Sequence, residues 1–273
     1  MVRFGYLCSA QNWGEIQLLK RQKFLGMKIL VCISKTPDTT AKIAFTDNNT
    51  KFAGDGVQWI INPYDEWYSL VRALELKEAD SSVSIHLIHV GGADSDPIIR
   101  KAFALGGDEG IRINSEATDS YFVAAQIAAI AQEGQYDLIL TGKETIDYNS
   151  ASLGGMIAAL LDTPYISLAT KLDRNGQQIT VKREIEGGEE TDIVSTPVVI
   201  SCQKGMAEQR IPNMKGIMAA RTKPLKVTEP VEADTYTSIV SFELPPAKAG
   251  VKLVPADQAE ELVRLLHEEA RVF

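Results

Sequence analysis

Apolar and polar positions along this chain follow two rhythms, and the point where one replaces the other divides the sequence. From Met27 to about Tyr165, short uninterrupted apolar runs alternate with stretches of helical spacing. The runs "MKILVCIS", "SVSIHLIHVGG" and "YDLILTG" carry no alternating polar face, which marks strands buried on both sides of a parallel sheet. Between the first two, "INPYDEWYSLVRALELKEA" places Trp67, Leu70, Val71 and Leu74 at the 3.6-residue period, with Asn62-Pro63 as the start signal. A Thr/Asp/Asn-rich stretch up to residue 56 reads as a plain connection. Further on, "DPIIRKAFALGGDEGIRI" predicts a helix stopped by Gly-Gly and then a short strand, and "SYFVAAQIAAIAQEGQ" predicts another helix. The alternation specifies an α/β fold with a doubly wound parallel sheet of Rossmann-like type.

Past Tyr165 the period drops to two. "YISLATKLDRNGQQITVKREIEGGEETDIVSTPVVISC" reads as antiparallel strands, with Asn175-Gly176 as a hairpin turn and Gly187-Gly188 as a second turn. A basic, methionine-bearing segment follows, "KGMAEQRIPNMKGIMAARTKP", interrupted by Pro212. From Val227 to Pro255 the chain is poor in core residues and reads as an extended arm, after which Ala259, Leu262, Val263, Leu265 and Leu266 form the apolar side of a final helix. The expected division is therefore an extension over 1–26, non-native or disordered; an α/β domain over 27–226 with its antiparallel hairpin; and an arm with helix over 227–273. A lone apolar stripe on such an arm needs a cover, which is either its own domain or another chain.

The stretch "YDLILTGKETIDYNSASLGGMIAALL" concentrates the functional question. Its strand Leu138–Leu140 ends in a polar loop, Gly142 to Leu153, and Ser150 or Ser152 is placed to cap a helix carrying Met156, Ile157, Leu160 and Leu161. Ligands of open parallel sheets settle at the carboxyl ends of strands, and a helix N-terminus there offers N–H donors to a phosphate. A nucleotide site is one reading of this loop and an ordinary solvent-exposed connection the other, because neither G-x-G-x-x-G nor G-K-[ST] is present.

Composition narrows the classes. The chain has 273 residues, 45% of them hydrophobic and 23% charged, as in an ordinary globular protein, and its formal charge of −8 argues against a nucleic-acid partner. Cys8, Cys32 and Cys202 are odd in number and far apart, which fits structural thiols in a reducing compartment, with the cytoplasm as the expected location. His86 and His89, three apart in a strand, point to opposite faces and make no metal pair. No apolar run is long enough to insert in a membrane. G-x-S-x-G and Cys/His pairing are missing, so a catalytic role of the hydrolase kind is not expected. Two segments look built for partners. "REIEGGEET" presents Arg183, Glu184 and Glu186 beside a tight turn, while Met214, Ile217 and Met218 sit among Arg210, Lys215, Arg221 and Lys223. A plain hairpin and a buried amphipathic helix are the alternatives.

Five segments, in order, resemble the β subunit of electron transfer flavoprotein from Met27 to about Arg271: "INPYDEWYSLVRALELKE", "RKAFALGGDEGI", "TGKETIDYNSASLGGM", "VKREIEGGEET" and "PNMKGIMAARTKP". The resemblance implies an electron carrier subunit and not an enzyme. It implies a heterodimer whose α subunit holds the FAD, with electrons entering from acyl-CoA-type dehydrogenases and leaving to a quinone oxidoreductase. It also implies a structural AMP in this chain. Cys32, Asn62, Pro63, Tyr64 and Val90 would then surround the adenosine. Gly142, Lys143, Asp147, Tyr148, Asn149, Ser150, Ala151, Ser152 and Leu153 would hold the phosphate. The segment around Met214, with Arg210, Lys215, Ile217, Met218 and Arg221, would be the dehydrogenase recognition loop, and Glu184 would lie near the flavin-binding partner.

The sequence departs from the family at one place. Where the loop usually runs Cys-Asn-Gln-Thr, this chain has Ser150, Ala151, Ser152 and Leu153, so backbone N–H groups and two serines are left as donors. A minority branch carries a second FAD at this position and bifurcates electrons, with a loop Asp-Gly-Asp-Thr-Ala-Gln that is absent here. A rival class, ATP-binding proteins of the universal-stress kind, shares the α/β alternation but lacks a long C-terminal arm.

Overall fold

The computed structural model describes residues 26–63, 65–116, 119–146, 149–247 and 250–273. The expected extension over 1–26, apart from Gly26, and Cys8 within it lie outside the described residues, as do Tyr64, Asp147 and Tyr148. The first unit comprises the described chain to Ala44 together with Ala53–Ile239, and the second comprises Phe45–Phe52 and Val240–Phe273.

In the first unit β1 (Lys28–Cys32) lies at the centre of a nine-stranded sheet. The chain runs on through β2 (Lys35–Pro37), then β3 (Phe45–Thr46) and β4 (Lys51–Phe52) of the second unit, and returns as β5 (Trp59–Ile61) and helix α1 (Glu66–Ala79). The connection expected up to residue 56 is thus partly strand, in pieces of two or three residues. Then follow β6 (Ser84–Val90), α2 (Asp96–Leu105), β7 (Glu109–Ile113), α3 (Ser120–Gly134), β8 (Leu138–Gly142) and α4 (Leu153–Leu161). The antiparallel strands β9 (Tyr165–Asn175), β10 (Gln178–Ile185) and β11 (Gly188–Ser195) precede β12 (Val198–Cys202), α5 (Met214–Ala220) and β13 (Leu225–Thr228).

The sheet order is β11-β10-β9-β12-β8-β1-β6-β7-β13, so the antiparallel strands extend the parallel sheet. β1 pairs in parallel with both β6 and β8, with Val31 opposite Leu87 on one side and Leu140 on the other. Side chains of alternate residues leave opposite faces. Ile29, Val31, Leu87 and Leu140 pack with α1 and α2 through Leu70, Leu74, Ile99 and Phe103. Leu30, Cys32, Ile88, Val90 and Ile139 pack with α3 and α4 through Val123, Ile127 and Ile157. Helices on both faces explain why these strands are apolar throughout.

Local chemistry places the helix ends. Asp119 caps α3 by accepting from the Tyr121 and Phe122 N–H groups at 2.9 and 3.0 Å. The expected Gly-Gly stop ends α2 at Gly106, φ 152°, where a Cβ would stand 2.4 Å from Leu74 Cδ2, so only glycine is accommodated. Two expectations need correction. Leu160, placed with Met156, Ile157 and Leu161 on the apolar spacing of α4, is 42% exposed, because α3 and the sheet cover only the Ile157 side. β13 pairs with β7, so the sheet includes residues on both sides of position 226/227.

In the second unit, β3 and β4 form a hairpin about Asp47, Asn48 and Asn49, all at positive φ. Phe242 donates its N–H to Asn49 O at 2.7 Å and stacks on Phe45 with centroids 5.0 Å apart. The chain ends in α6 (Ala259–Arg264) and a π-helical turn, Leu265–Glu269. Of the apolar side read from the sequence there, Leu265 is buried, whereas Leu262 and Val263 are exposed.

Candidate functional site

A cavity of about 260 Å³ opens at the carboxyl edge of the parallel sheet. It lies where β1 ends between β6 and β8, the position at which the strand order reverses and doubly wound sheets take ligands. Cys32 and Val90 line it from the ends of β1 and β6, and Leu153 lines it from the first turn of α4. These residues, named from sequence around one ligand, are therefore brought together. Ile33, Ile88, Val123 and Ile127 complete the apolar wall.

The loop between β8 and α4 is held from several sides. The Lys143 N–H donates to Cys202 O at 2.9 Å and the Thr145 N–H to Ser150 O at 2.8 Å, and Asn149 takes positive φ. Asn62, fully buried, donates its amide to Glu144 O at 2.9 Å, so it fastens the loop and does not line the cavity. Pro63 follows it in the turn before α1. Ser152 occupies the N-cap position of α4 but its hydroxyl is paired with that of Ser150 at 2.8 Å, and Ser150 also accepts from Ser120 at 2.8 Å. The capping hydrogen bond expected from either serine is therefore replaced by a hydroxyl chain. Ala151 is exposed beside them.

Under the loop, the start of α1 wedges between strand ends. A Cβ on Gly142 would approach Asp65 Cβ to 2.9 Å and Glu66 Cγ to 3.0 Å, so the backbone contact requires glycine. Glu66, 3% exposed, lines the cavity and receives the Ser34 N–H and the Ser34 hydroxyl, the latter at 2.7 Å. Asp65, 2% exposed, has one carboxylate oxygen without a partner. Burial pushes its carboxyl up to about 6; Glu144 adds to this and Lys143 opposes it. The Cys32 thiol is raised far above its ordinary range by burial and by Glu66, which makes it an inert wall and not a nucleophile. His89 donates from Nδ1 to Ile33 O at 2.9 Å, leaves Nε2 unpaired, and is kept neutral because burial lowers its pKa.

The outer rim was not legible in the sequence. Lys35, just beyond β1, is ion-paired with Asp94 and lies over the Trp59 ring, 4.3 Å from its centroid. Glu116 and the Gly91-Gly92 turn also border the opening. A lysine one turn past a strand end and an i,i+4 apolar pair, Val123 and Ile127, were the available signals.

Of the expected partner residues, Glu184 accepts from the Gln203 amide at 2.7 Å. Arg210 folds back onto α1, with Glu78 at 3.0 Å and Glu75 at 3.8 Å. The short helix α5 is fixed by its inner side: Asn213 accepts the Gly216 N–H at 2.8 Å, and Arg100 on α2 donates to Ala220 O at 2.8 Å. Its outer side carries Met214, 73% exposed, with Ile217 and Met218 also exposed. Lys215 and Arg221 are exposed beside them, whereas Lys223 donates to Phe103 O at 3.0 Å. Among the described residues, no helix is long and apolar enough to cross a membrane.

Residues 50–233 match the model of the electron transfer flavoprotein domain. The chain is 36% identical over 261 residues to the electron transfer flavoprotein subunit beta of Bacillus subtilis (strain 168), covering 90% of this chain and 100% of that one. To the subunit of the same name from Syntrophomonas wolfei it is 37% identical over 231 residues, 84% of this chain and 90% of the other. To that of Homo sapiens it is 31% identical over 256 residues, 90% and 99% respectively.

Proposed function

The chain belongs to the electron transfer flavoprotein family, among the β subunits, and from that premise we propose that it forms a heterodimer with an α subunit and holds AMP in the cavity at its sheet edge. Electrons then pass from acyl-CoA-type dehydrogenases to FAD held mainly by the α subunit, and on to a quinone oxidoreductase. This chain contributes no catalytic group.

The observation that carries the AMP assignment is the convergence of Cys32, Val90 and Leu153 on one cavity at the strand-order reversal. Its residues suit a mononucleotide. The flat apolar walls of Ile88, Val90, Val123 and Ile127 fit a base, and the first-turn N–H groups of α4 and the Lys35 ammonium fit a phosphate. The absence of the Asp-Gly-Asp-Thr-Ala-Gln loop of the bifurcating branch favours AMP over a second FAD. AMP here supplies no redox chemistry; it fills the crevice and ties α4 to β1. FAD, bound to the partner, supplies the electron-accepting ring.

Docking of dehydrogenases is assigned to the outer side of α5, where exposed, adaptable Met214 and Met218 stand among Lys215 and Arg221. The test is reduction of the flavin in the co-expressed heterodimer by a substrate-loaded acyl-CoA-type dehydrogenase, followed by its bleaching. Bleaching that requires the dehydrogenase supports the reading; ATP hydrolysis by the isolated chain with no flavin in the co-expressed complex overturns it.

A further inference from the structure

We propose that Lys35 makes the sheet-edge cavity selective for an anionic ligand, by transferring its ammonium from Asp94 to the phosphate of a bound mononucleotide. The proposal rests on the nucleotide reading above. It goes beyond it in assigning the charge recognition to a residue outside the loop that the family resemblance singles out.

Apart from the α4 N–H groups, the cavity is hostile to an anion. Its walls carry the carboxylates of Glu66, Asp94 and Glu116, and the other nitrogen-bearing ring, His89, is neutral. The nearest loop cation, Lys143, does not line the cavity and lies 3.7 Å from Glu144. The serine hydroxyls of the loop are engaged with one another and with Ser120. Lys35 is the lysine that lines it.

The Lys35–Asp94 pair is also asymmetric. The lysine side chain is 14% exposed, whereas that of Asp94 is 71% exposed. Exchanging Asp94 for a ligand phosphate returns one carboxylate to water, where it is well solvated, and leaves the enclosed ammonium paired throughout. An ammonium has three donors, so it can begin to bond the phosphate before Asp94 lets go. Trp59 keeps the stem in place: its ring lies 4.3 Å from Lys35 Nζ, and the indole face holds the cation near the opening in both states.

The experiment titrates the full-length chain with AMP and with adenosine, by calorimetry and tryptophan emission. The wild type is expected to bind AMP roughly tenfold to hundredfold more tightly than adenosine, the range of a charge-assisted hydrogen bond. Lys35→Met should remove most of the AMP preference, leaving only the part that the α4 N–H groups supply, and should leave adenosine unchanged. Asp94→Asn should tighten AMP several-fold with no effect on adenosine. AMP, but not adenosine, should change an emission component that disappears in Trp59→Phe. Equal weakening of both ligands in Lys35→Met, or an AMP preference that survives it undiminished, overturns the proposal. If Lys35→Met does not fold, an unaltered AMP-to-adenosine ratio in Asp94→Asn overturns it instead. A wild type that binds neither compound removes the nucleotide reading, and the role of Lys35 with it.

Discussion

Asp65→Asn separates charge from shape at the base of the nucleotide loop. Asp65 is 2% exposed with one unpartnered oxygen, and its carboxyl titrates near 6 in place of 3.8, mainly through burial. The folded chain therefore holds a proton that the unfolded chain has released between about pH 4 and pH 6, so stability falls as pH rises through that window. Below about pH 4 the group is neutral in both states and costs nothing; above pH 6 the full cost of its charge is present. The gap between 3.8 and about 6 corresponds to about 3 kcal/mol without screening. Solvent at the loop reduces this to roughly 1–2 kcal/mol; the opposing charge of Lys143 is already contained in the value of about 6. Asparagine keeps the shape and can still accept the Glu144 N–H that bonds Asp65. The variant should melt about 3–6 °C above the wild type at pH 8, a difference that shrinks towards zero near pH 4. Thermal melts of both proteins at pH 4.5, 6 and 8, read as the difference between them, decide the matter. A variant less stable than the wild type at pH 8, by a margin that shrinks towards pH 4.5, would show that the ionised carboxylate supports the loop, and would refute the reasoning.

Four further outcomes follow from the same geometry. Leu153→Thr, which restores a hydroxyl of the family's loop at a position lining the cavity, should tighten AMP by several-fold in a binding titration. Met214→Ala should slow flavin reduction by the dehydrogenase roughly fivefold or more while AMP content and heterodimer yield stay unchanged; Lys215→Ala or Arg221→Ala should slow it mainly at low ionic strength, as stopped-flow traces at two salt concentrations would show. Removal of Val240–Phe273, which takes most of the second unit, should weaken co-elution with the α subunit far more than it lowers the melting temperature of the sheet.

The sheet was legible because its central strands must be apolar on both faces. The runs around Val31, Ile88 and Ile139 could hardly be anything else once helices alternate with them. Asn175-Gly176 and Gly187-Gly188 gave the hairpins because two-residue turns at positive φ need such residues, and both Gly176 and Gly187 take it. Strands β2 to β5, at two or three residues each, are too short to show a period. The exposure of Leu160, Leu262 and Val263 escaped detection for a different reason: periodicity finds an apolar stripe but not what covers it. At the site, Cys32 and Val90 could be found as strand ends. Lys35 and His89 meet because parallel pairing sets the end of β1 beside that of β6, with Cys32 opposite Ile88, while Trp59 and Glu66 reach the cavity from β5 and α1. That juxtaposition spans more than fifty residues and leaves no local pattern.

The measurement closest to the central claim is the composition of the heterodimer obtained by co-expressing this chain with its α partner. Released cofactors are separated, weighed and compared with the flavin absorption of the intact complex. The account predicts FAD and AMP in equal amounts, with AMP lost from a Lys35→Met complex that keeps its FAD. Two FAD per heterodimer with no AMP would place flavin in this chain's cavity and contradict it.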